Sequence, residues 1–314
     1  MREEEKMKKE TKPITVTPNF YQIGTPAYPA YLSMGDDAMI IEGGISVTFP
    51  IIVDQIKTLG IDPNRIKYII ITHTHPDHIG AVPKIKKLWP HLKVVASPTA
   101  EKILKSEEAV KEFIRVDNVI TEILMIKGEI EEWPAEFENP TFEVDRVVNE
   151  GDKLNLGSGN VWTIYDTPGH SSCHISLHNE SQEILVIADA TGLYDFERDL
   201  FWPNYFDSLE TYCNSIRKLA GLPATIGALS HNGIINGEVK QHLQKAIKAT
   251  ESYHTQMLKN EGNGRDPSKV ALETAKWVYT FTNMQPFATI HGLSKLMMKR
   301  SLSAADKKNL FTIP

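Results

Sequence analysis

Cysteine is scarce in this 314-residue chain: Cys173 and Cys213 are the only two. Two thiols cannot build a disulfide scaffold, so the small stapled secreted folds are excluded and a reducing compartment fits. No apolar run reaches the roughly 18 residues that would suggest a membrane helix. The N-terminal stretch MREEEKMKKETK has charges of both signs but no apolar segment behind them. Residues 1–18 therefore read as a charged tail rather than a secretory signal, and the expected location is cytoplasmic. Positive charge is not in excess either. A formal net charge of −6 disfavours nucleic acid or an anionic membrane as the main partner. Repeats and low-complexity segments are lacking. What remains is an ordinary globular composition, 41% hydrophobic and 24% charged, enough for one large domain or two smaller ones.

Short apolar runs dominate the first three quarters. Phe20–Ile23, Ala30–Ser33 and Ala38–Glu42 read as strands, with Gly35-Asp36-Asp37 as a turn. Ile51–Leu59 has helical spacing and stops at Gly60. Tyr68–Thr72 reads as a β-branched strand buried on both faces. Helical patterns follow over about 76–88 and 98–115, and the Glu- and Pro-rich stretch 128–150 reads as a surface loop or lid. Val161–Tyr165, Ile184–Ala188 and Thr225–Leu229 are further strands, with a helix near Ser208–Leu219. After Gly237 the texture is helical: Val239–Leu258, a helix opened by Asp266 as cap and Pro267 at its first position, and about Leu293–Leu302. The expected organisation is a mixed α/β domain over 19–236 and a helical extension over 237–314.

Residues 72–80 read THTHPDHIG, so His73, His75, Asp77 and His78 fall within six positions after a buried strand. Imidazole and carboxylate suit Zn, Mn and Fe. In extended chain His73 and His75 project to one side and can share a metal. A turn into helix near Pro76 can swing Asp77 and His78 toward a second. The strand Val161–Tyr165 leads to His170, Ile184–Ala188 leads to Asp189, and Thr225–Leu229 leads to His231. Taken singly, each of those three is as well read as a structural residue. The H-x-H-x-D-H cluster is not, because burying so many polar groups without a metal is costly.

The combination HTHPDH, TPGH, Asp189 and His231 resembles the metallo-β-lactamase superfamily in its two-metal form. The resemblance implies a four-layer αββα sandwich with the site at one edge. It implies that His73, His75 and His170 hold one divalent metal, that Asp77, His78 and His231 hold the other, and that Asp189 bridges them. Two departures stand out: Ala188 precedes the bridging Asp where Gly is usual, and the last His lies in Ser230-His231-Asn232-Gly233. The ligand swap to cysteine found in some β-lactamases is absent, and His75 stands where oxygen-reducing diiron relatives carry Glu. Ile41-Glu42-Gly43-Gly44-Ile45-Ser46, Ser106–Val110 and His291–Met297 are similar to the bacterial quinolone-signal response thioesterases.

The chemistry expected is attack of hydroxide on a carbonyl, with Asp77 both holding metal and orienting the nucleophile. A thioester is the first-choice substrate and a lactone or other ester the second. His174, Tyr194, Phe287 and His291 are candidate substrate-contacting residues, although packing explains each as well. The partner is then a small acyl molecule, and a homodimer stays open. Mononuclear-iron persulfide oxidation is the competing enzymatic reading. A signalling or interaction protein with a structural metal site is the non-enzymatic one. The C-terminal helices read either as an amphipathic pair packed on the sandwich or as a cap over the site.

Overall fold

Runs rich in Ile, Val and aromatics fold into strands because those side chains pack well on a pleated surface. In the computed structural model, residues 12–128, 130, 141–282, 284–304 and 310–313 are described. Most of the charged N-terminal stretch, and residues 129 and 131–140 of the Glu- and Pro-rich segment, lie outside them. The first sheet contains β1 (Ile14–Thr17), β2 (Phe20–Gly24), β3 (Pro29–Met34), β4 (Ala38–Ile41), β5 (Ile66–Ile70), β6 (Lys93–Ala96) and β7 (Arg146–Val147), side by side in that order. It is antiparallel from β1 to β4 and parallel from β4 to β7. The second contains β8 (Lys153–Asn155), β9 (Val161–Asp166), β10 (Ile175–Asn179), β11 (Ile184–Ala188), β14 (Ile226–Leu229) and β15 (Ile234–Asn236), again in that spatial order. Only its β11–β14 pairing is parallel. A separate ribbon pairs β12 (Leu193–Asp195) with β13 (Leu200–Trp202).

Alternate residues feed different cores, as the two-residue period of a strand requires. Tyr31, Met39, Ile41, Ile70, Ile184 and Val186 meet Trp162 and Ile164 between the sheets. Leu32, Ile40 and Ile69 face outward against α1 (Phe49–Thr58), α2 (Pro76–Ile79), α3 (Val82–Leu88) and α4 (Pro98–Leu104). Leu185 and Ile187 face the opposite outer layer, which holds α6 (Leu209–Ala220). Each such buried aliphatic or aromatic side chain stabilises the sandwich by roughly 1.5–3 kcal/mol. The architecture is mixed α/β in the expected αββα layering. The C-terminal helices α7 (Val239–Gly262), α8 (Pro267–Tyr279) and α9 (Phe287–Ser303) follow it and share the apolar cluster of α6.

Local signals explain most boundaries. Ser97, Ser106 and Ser208 cap α4, α5 (Glu107–Ile126) and α6 by accepting from backbone N–H groups three residues on. Asp266 caps α8 just before Pro267. The helical pattern over 76–88 is in fact two helices. The Gly80 amide donates to both Gly44 and Pro76 carbonyls, and Pro83 has no amide with which to continue the first ladder. The pattern over 98–115 also divides, at the Ser106 cap, and its second helix continues to Ile126. The last helix begins earlier than its periodicity suggests, at Phe287.

Candidate metal centre

Four segments leave the sheets at the same edge and bring the seven residues together. The chain leaving β5 carries His73 and His75, and α2 presents Asp77 and His78. The β9–β10 connection carries His170, Asp189 follows β11, and His231 follows β14. Three sets of candidate ligand atoms lie within 4.8 Å of one another: His73 with His75 and His170, Asp77 with His78 and His231, and Glu42 with His73 and His78, which overlaps the other two. Asp189 stands between the first two. Its Oδ2 lies 3.6 Å from His73 Nε2 and 3.4 Å from His170 Nε2 on one side, and 3.2 Å from His78 Nε2 and 3.6 Å from His231 Nε2 on the other. Asp77 spans the second set, 3.5 Å from both His78 and His231.

The outward nitrogen of each ring fixes what the inward one offers. His170 Nδ1–H donates to the Asn204 carbonyl at 2.9 Å and His231 Nδ1–H to the Ala27 carbonyl at 2.8 Å. His78 Nδ1–H donates to Glu42 Oε2 at 3.0 Å. Thr72 spends its hydroxyl proton on Glu42 Oε1 at 2.6 Å, so it accepts from His73 Nδ1–H at 3.1 Å. In its neutral form each of the four rings therefore carries its proton on Nδ1 and turns an Nε2 lone pair inward, the tautomer a metal requires. His75 faces the same point through Nδ1, 3.0 Å from both His73 and His170 Nε2.

Burial holds His73 and His170 well below the usual imidazole range and His75 below it. Burial also works against protonation of His78 and His231. There the carboxylates win: Asp77 and Glu42 hold His78 well above its ordinary value, and Asp189 raises His231. Asp189 is buried too, yet His231 and His170 hold it well below the carboxylate range. The second set thus sits in a negative potential that favours cations. His78 Nε2 and Asp189 Oδ1 are buried with no hydrogen bond. Such orphaned atoms cost about 1–3 kcal/mol each unless something satisfies them. A cation pair does so, and the residues fit it.

Glu42 is the residue that sequence reasoning missed as part of the site, noted only within a stretch similar to the quinolone-signal response thioesterases. It is 1% exposed. Its Oε1 accepts from Thr72 and from Ser230 Oγ at 2.8 Å, and its Oε2 accepts from His78. With both oxygens engaged it supports the ligands rather than joining them. The signal was an acidic residue between a buried strand and two glycines. Gly43 permits the approach: its amide donates to the His78 carbonyl at 2.8 Å, and a Cβ there would lie 2.4 Å from Val82 and 2.7 Å from that carbonyl.

The candidate substrate residues are engaged within the protein to different degrees. His174 is 1% exposed and both its nitrogens are engaged within the protein, so it offers none to a substrate. Tyr194 donates its hydroxyl to Asp199 Oδ1 at 2.7 Å and packs on Phe196, Phe201 and His242. Phe287 stacks on His291, and His291 Nε2 is buried without a partner. Two further aromatic rings flank the cluster: Phe206 lies 5.2 Å from the His170 ring, and Tyr28 lies 6.0 Å from that of His231.

The family model described as Metallo-beta-lactamase superfamily matches residues 30–231. The chain belongs to the metallo-β-lactamase superfamily. The Metallo-beta-lactamase fold-containing protein ST1585 of Sulfurisphaera tokodaii is 25% identical over 194 residues, 60% of this chain and 69% of that protein. Diflavin flavoprotein A 1 of a Synechocystis species is 29% identical over 174 residues, 55% of this chain but 25% of that protein. N-acyl homoserine lactonase AttM of Rhizobium radiobacter is 28% identical over 172 residues, 53% of this chain and 57% of that protein. The metallo-β-lactamase fold is shared with BJP-1, a subclass B3 metallo-beta-lactamase of Bradyrhizobium japonicum. The TM-score is 0.57 at 22% identity, covering 82% of this chain and 98% of that one.

Proposed function

We propose that this member of the superfamily is a dinuclear metal-dependent hydrolase that cleaves an acyl carbonyl bond, with a thioester as first-choice substrate. The observation that carries this reading is Asp189 Oδ2 standing between two complete three-residue donor sets. His73, His75 and His170 would hold one divalent ion and Asp77, His78 and His231 the other, with Asp189 shared. Bound there, the pair supplies Lewis acidity and a hydroxide nucleophile near neutral pH.

The chain's own groups do the rest. Asp77 places one oxygen toward His78 and the other toward His231, so it both holds the second position and can accept a hydrogen bond from the nucleophile. Phe206 gives the His170 side an apolar wall suited to an acyl chain. A leaving group that departs without strong protonation, such as a thiolate, suits a site whose carboxylates are already engaged. The sequence likeness to quinolone-signal response thioesterases supports that order. The lactonase relative supports a lactone as the second substrate class. The His75 position, a glutamate in oxygen-reducing diiron relatives, speaks against redox work.

The test is metal analysis of the purified chain together with turnover of short thioesters and acyl lactones. Two metals per chain, turnover independent of oxygen and loss of both on Asp189→Ala are expected. One iron per chain with oxygen consumption would establish the persulfide-oxidation reading instead.

A further inference from the structure

Ala188 adopts φ +50° at the end of β11, immediately before Asp189. This is a left-handed conformation that a residue with a Cβ rarely takes. A run of buried hydrogen bonds starts and ends on the two residues that flank it. The Asp189 amide donates to His174 Nε2 at 3.1 Å. That leaves the ring proton on Nδ1, 2.8 Å from Thr167 Oγ1, which accepts it. Thr167 Oγ1 lies 2.9 Å from Ser176 Oγ, and Ser176 donates to the Ile187 carbonyl at 3.3 Å. With each hydroxyl passing its proton onward, the sequence runs Asp189, His174, Thr167, Ser176, Ile187. Its four bonds close a circuit around the peptide units of Ala188. His174, Thr167 and Ser176 are all at most 1% exposed, so water does not replace any link.

We propose that His174 is a positioning residue for Asp189, fixing the left-handed Ala188 junction so that the shared carboxylate oxygen points between the two donor sets. The inference rests on the dinuclear reading above. Where Gly precedes the aspartate, the backbone adopts such a conformation freely. Here the side chain at 188 makes it unfavourable, and the imidazole acceptor under the Asp189 amide holds it. His174 touches neither substrate nor metal in this role. Its effect is transmitted through one backbone amide.

The experiment is a Zn2+ titration of the full-length chain against a chromophoric chelator, for wild type, His174→Leu, His174→Gln, Ala188→Gly and the His174→Leu/Ala188→Gly double variant. His174→Leu is expected to weaken the weaker Zn2+ step by about 10–100-fold, the range for residues that orient ligands. His174→Gln, whose Oε1 can accept from the Asp189 amide, keeps most of that affinity. Ala188→Gly alone changes it by less than about threefold, yet recovers most of the loss in the double variant, because contacting sites couple where independent ones add. If His174→Leu costs the same in both backgrounds, or costs nothing, the positioning role is overturned. If His174→Leu does not fold, Thr167→Val breaks the next link with the imidazole still packed. A loss smaller in the Ala188→Gly background then supports the role, and an equal loss overturns it. A wild-type chain that takes up no Zn2+ overturns the dinuclear reading itself, a result distinct from either.

Discussion

Glu42 accepts three hydrogen bonds with one carboxylate and so ties together the segments carrying His73, His78 and His231. Glu42→Gln keeps the size but loses the charge that holds His78 Nδ1–H outward. Its affinity for the second metal should drop by roughly 10–100-fold, read by dialysis against graded chelator and elemental analysis, while the first metal stays bound. His242 gives a pH prediction away from the metals. Burial lowers it to about 4, with Lys245 adding in the same direction. Above pH 6.5 the ring is neutral in both folded and unfolded chains and contributes nothing. Below 6.5 the unfolded chain takes up a proton that the folded one refuses, so stability falls as pH falls toward 4. The slope it contributes is at most about 1.4 kcal/mol per pH unit. Urea titrations of metal-free protein at pH 7 and 5 should show a shallower loss for His242→Gln than for wild type; equal losses would contradict the assignment. Four of the seven clustered residues were legible because they crowd into six positions, whereas His170, Asp189 and His231 came only with the resemblance. Glu42 and His174 were less so, since their roles depend on which neighbour their nitrogens and oxygens meet after folding.

At the level of elements, the junctions between strand and helix set the geometry. Gly169, at φ +128°, packs so closely on α6 that a Cβ would lie 2.2 Å from the Tyr212 amide nitrogen. Its carbonyl accepts from the Asp207 and Ser208 amides, which locks the loop before His170 to the start of α6. Gly169→Ala is expected to destabilise the fold by at least about 1–3 kcal/mol, the usual cost of an unfavourable backbone conformation, and to loosen metal retention through His170. Thermal melts with and without metal check it, and an unchanged melting point would show that the loop can move aside. Strands with continuous apolar runs, such as β11, were readable from pattern alone. β10 was not, because Ser176, His178 and Asn179 interrupt its apolar residues while remaining buried. The ribbon β12–β13 was hidden for a different reason: an aromatic-rich loop has no period to betray its pairing. Nothing in composition revealed that Ala188 is left-handed, although its departure from the usual Gly marked the place.

On the scale of the whole molecule, the C-terminal helices do not form a detachable layer. Leu243, Ile247, Val278 and Met297 are buried in one cluster with Tyr212 and Ile216 of α6 and Ile187 of β11. Deleting residues 237–314 would uncover that surface, and the truncated chain is expected to aggregate rather than to show merely altered selectivity. α9 and the connection that precedes it also reach both flanks of the site. The Tyr28 hydroxyl donates to the Met284 carbonyl at 3.1 Å, and Arg300 Nε donates to the Phe206 carbonyl at 3.0 Å. Arg300→Ala should free the Phe206 wall, raising KM several-fold for long acyl substrates with metal content unchanged; steady-state kinetics over a chain-length series would reveal it, and a uniform fall in kcat would argue against it.

The Tyr31 hydroxyl, on β3 of the first sheet, reaches across the sandwich to the Leu229 and Gly233 carbonyls on either side of His231. The final donor is therefore docked by a residue two hundred positions earlier in the chain, and no fragment ending before that point can assemble the set. During synthesis, ion capture would have to wait until nearly three quarters of the polypeptide has emerged, and premature loading of the THTHPDH segment could at best be partial. Cations held there would act as clasps over long stretches of chain, so stripping them should loosen both halves together rather than one edge alone.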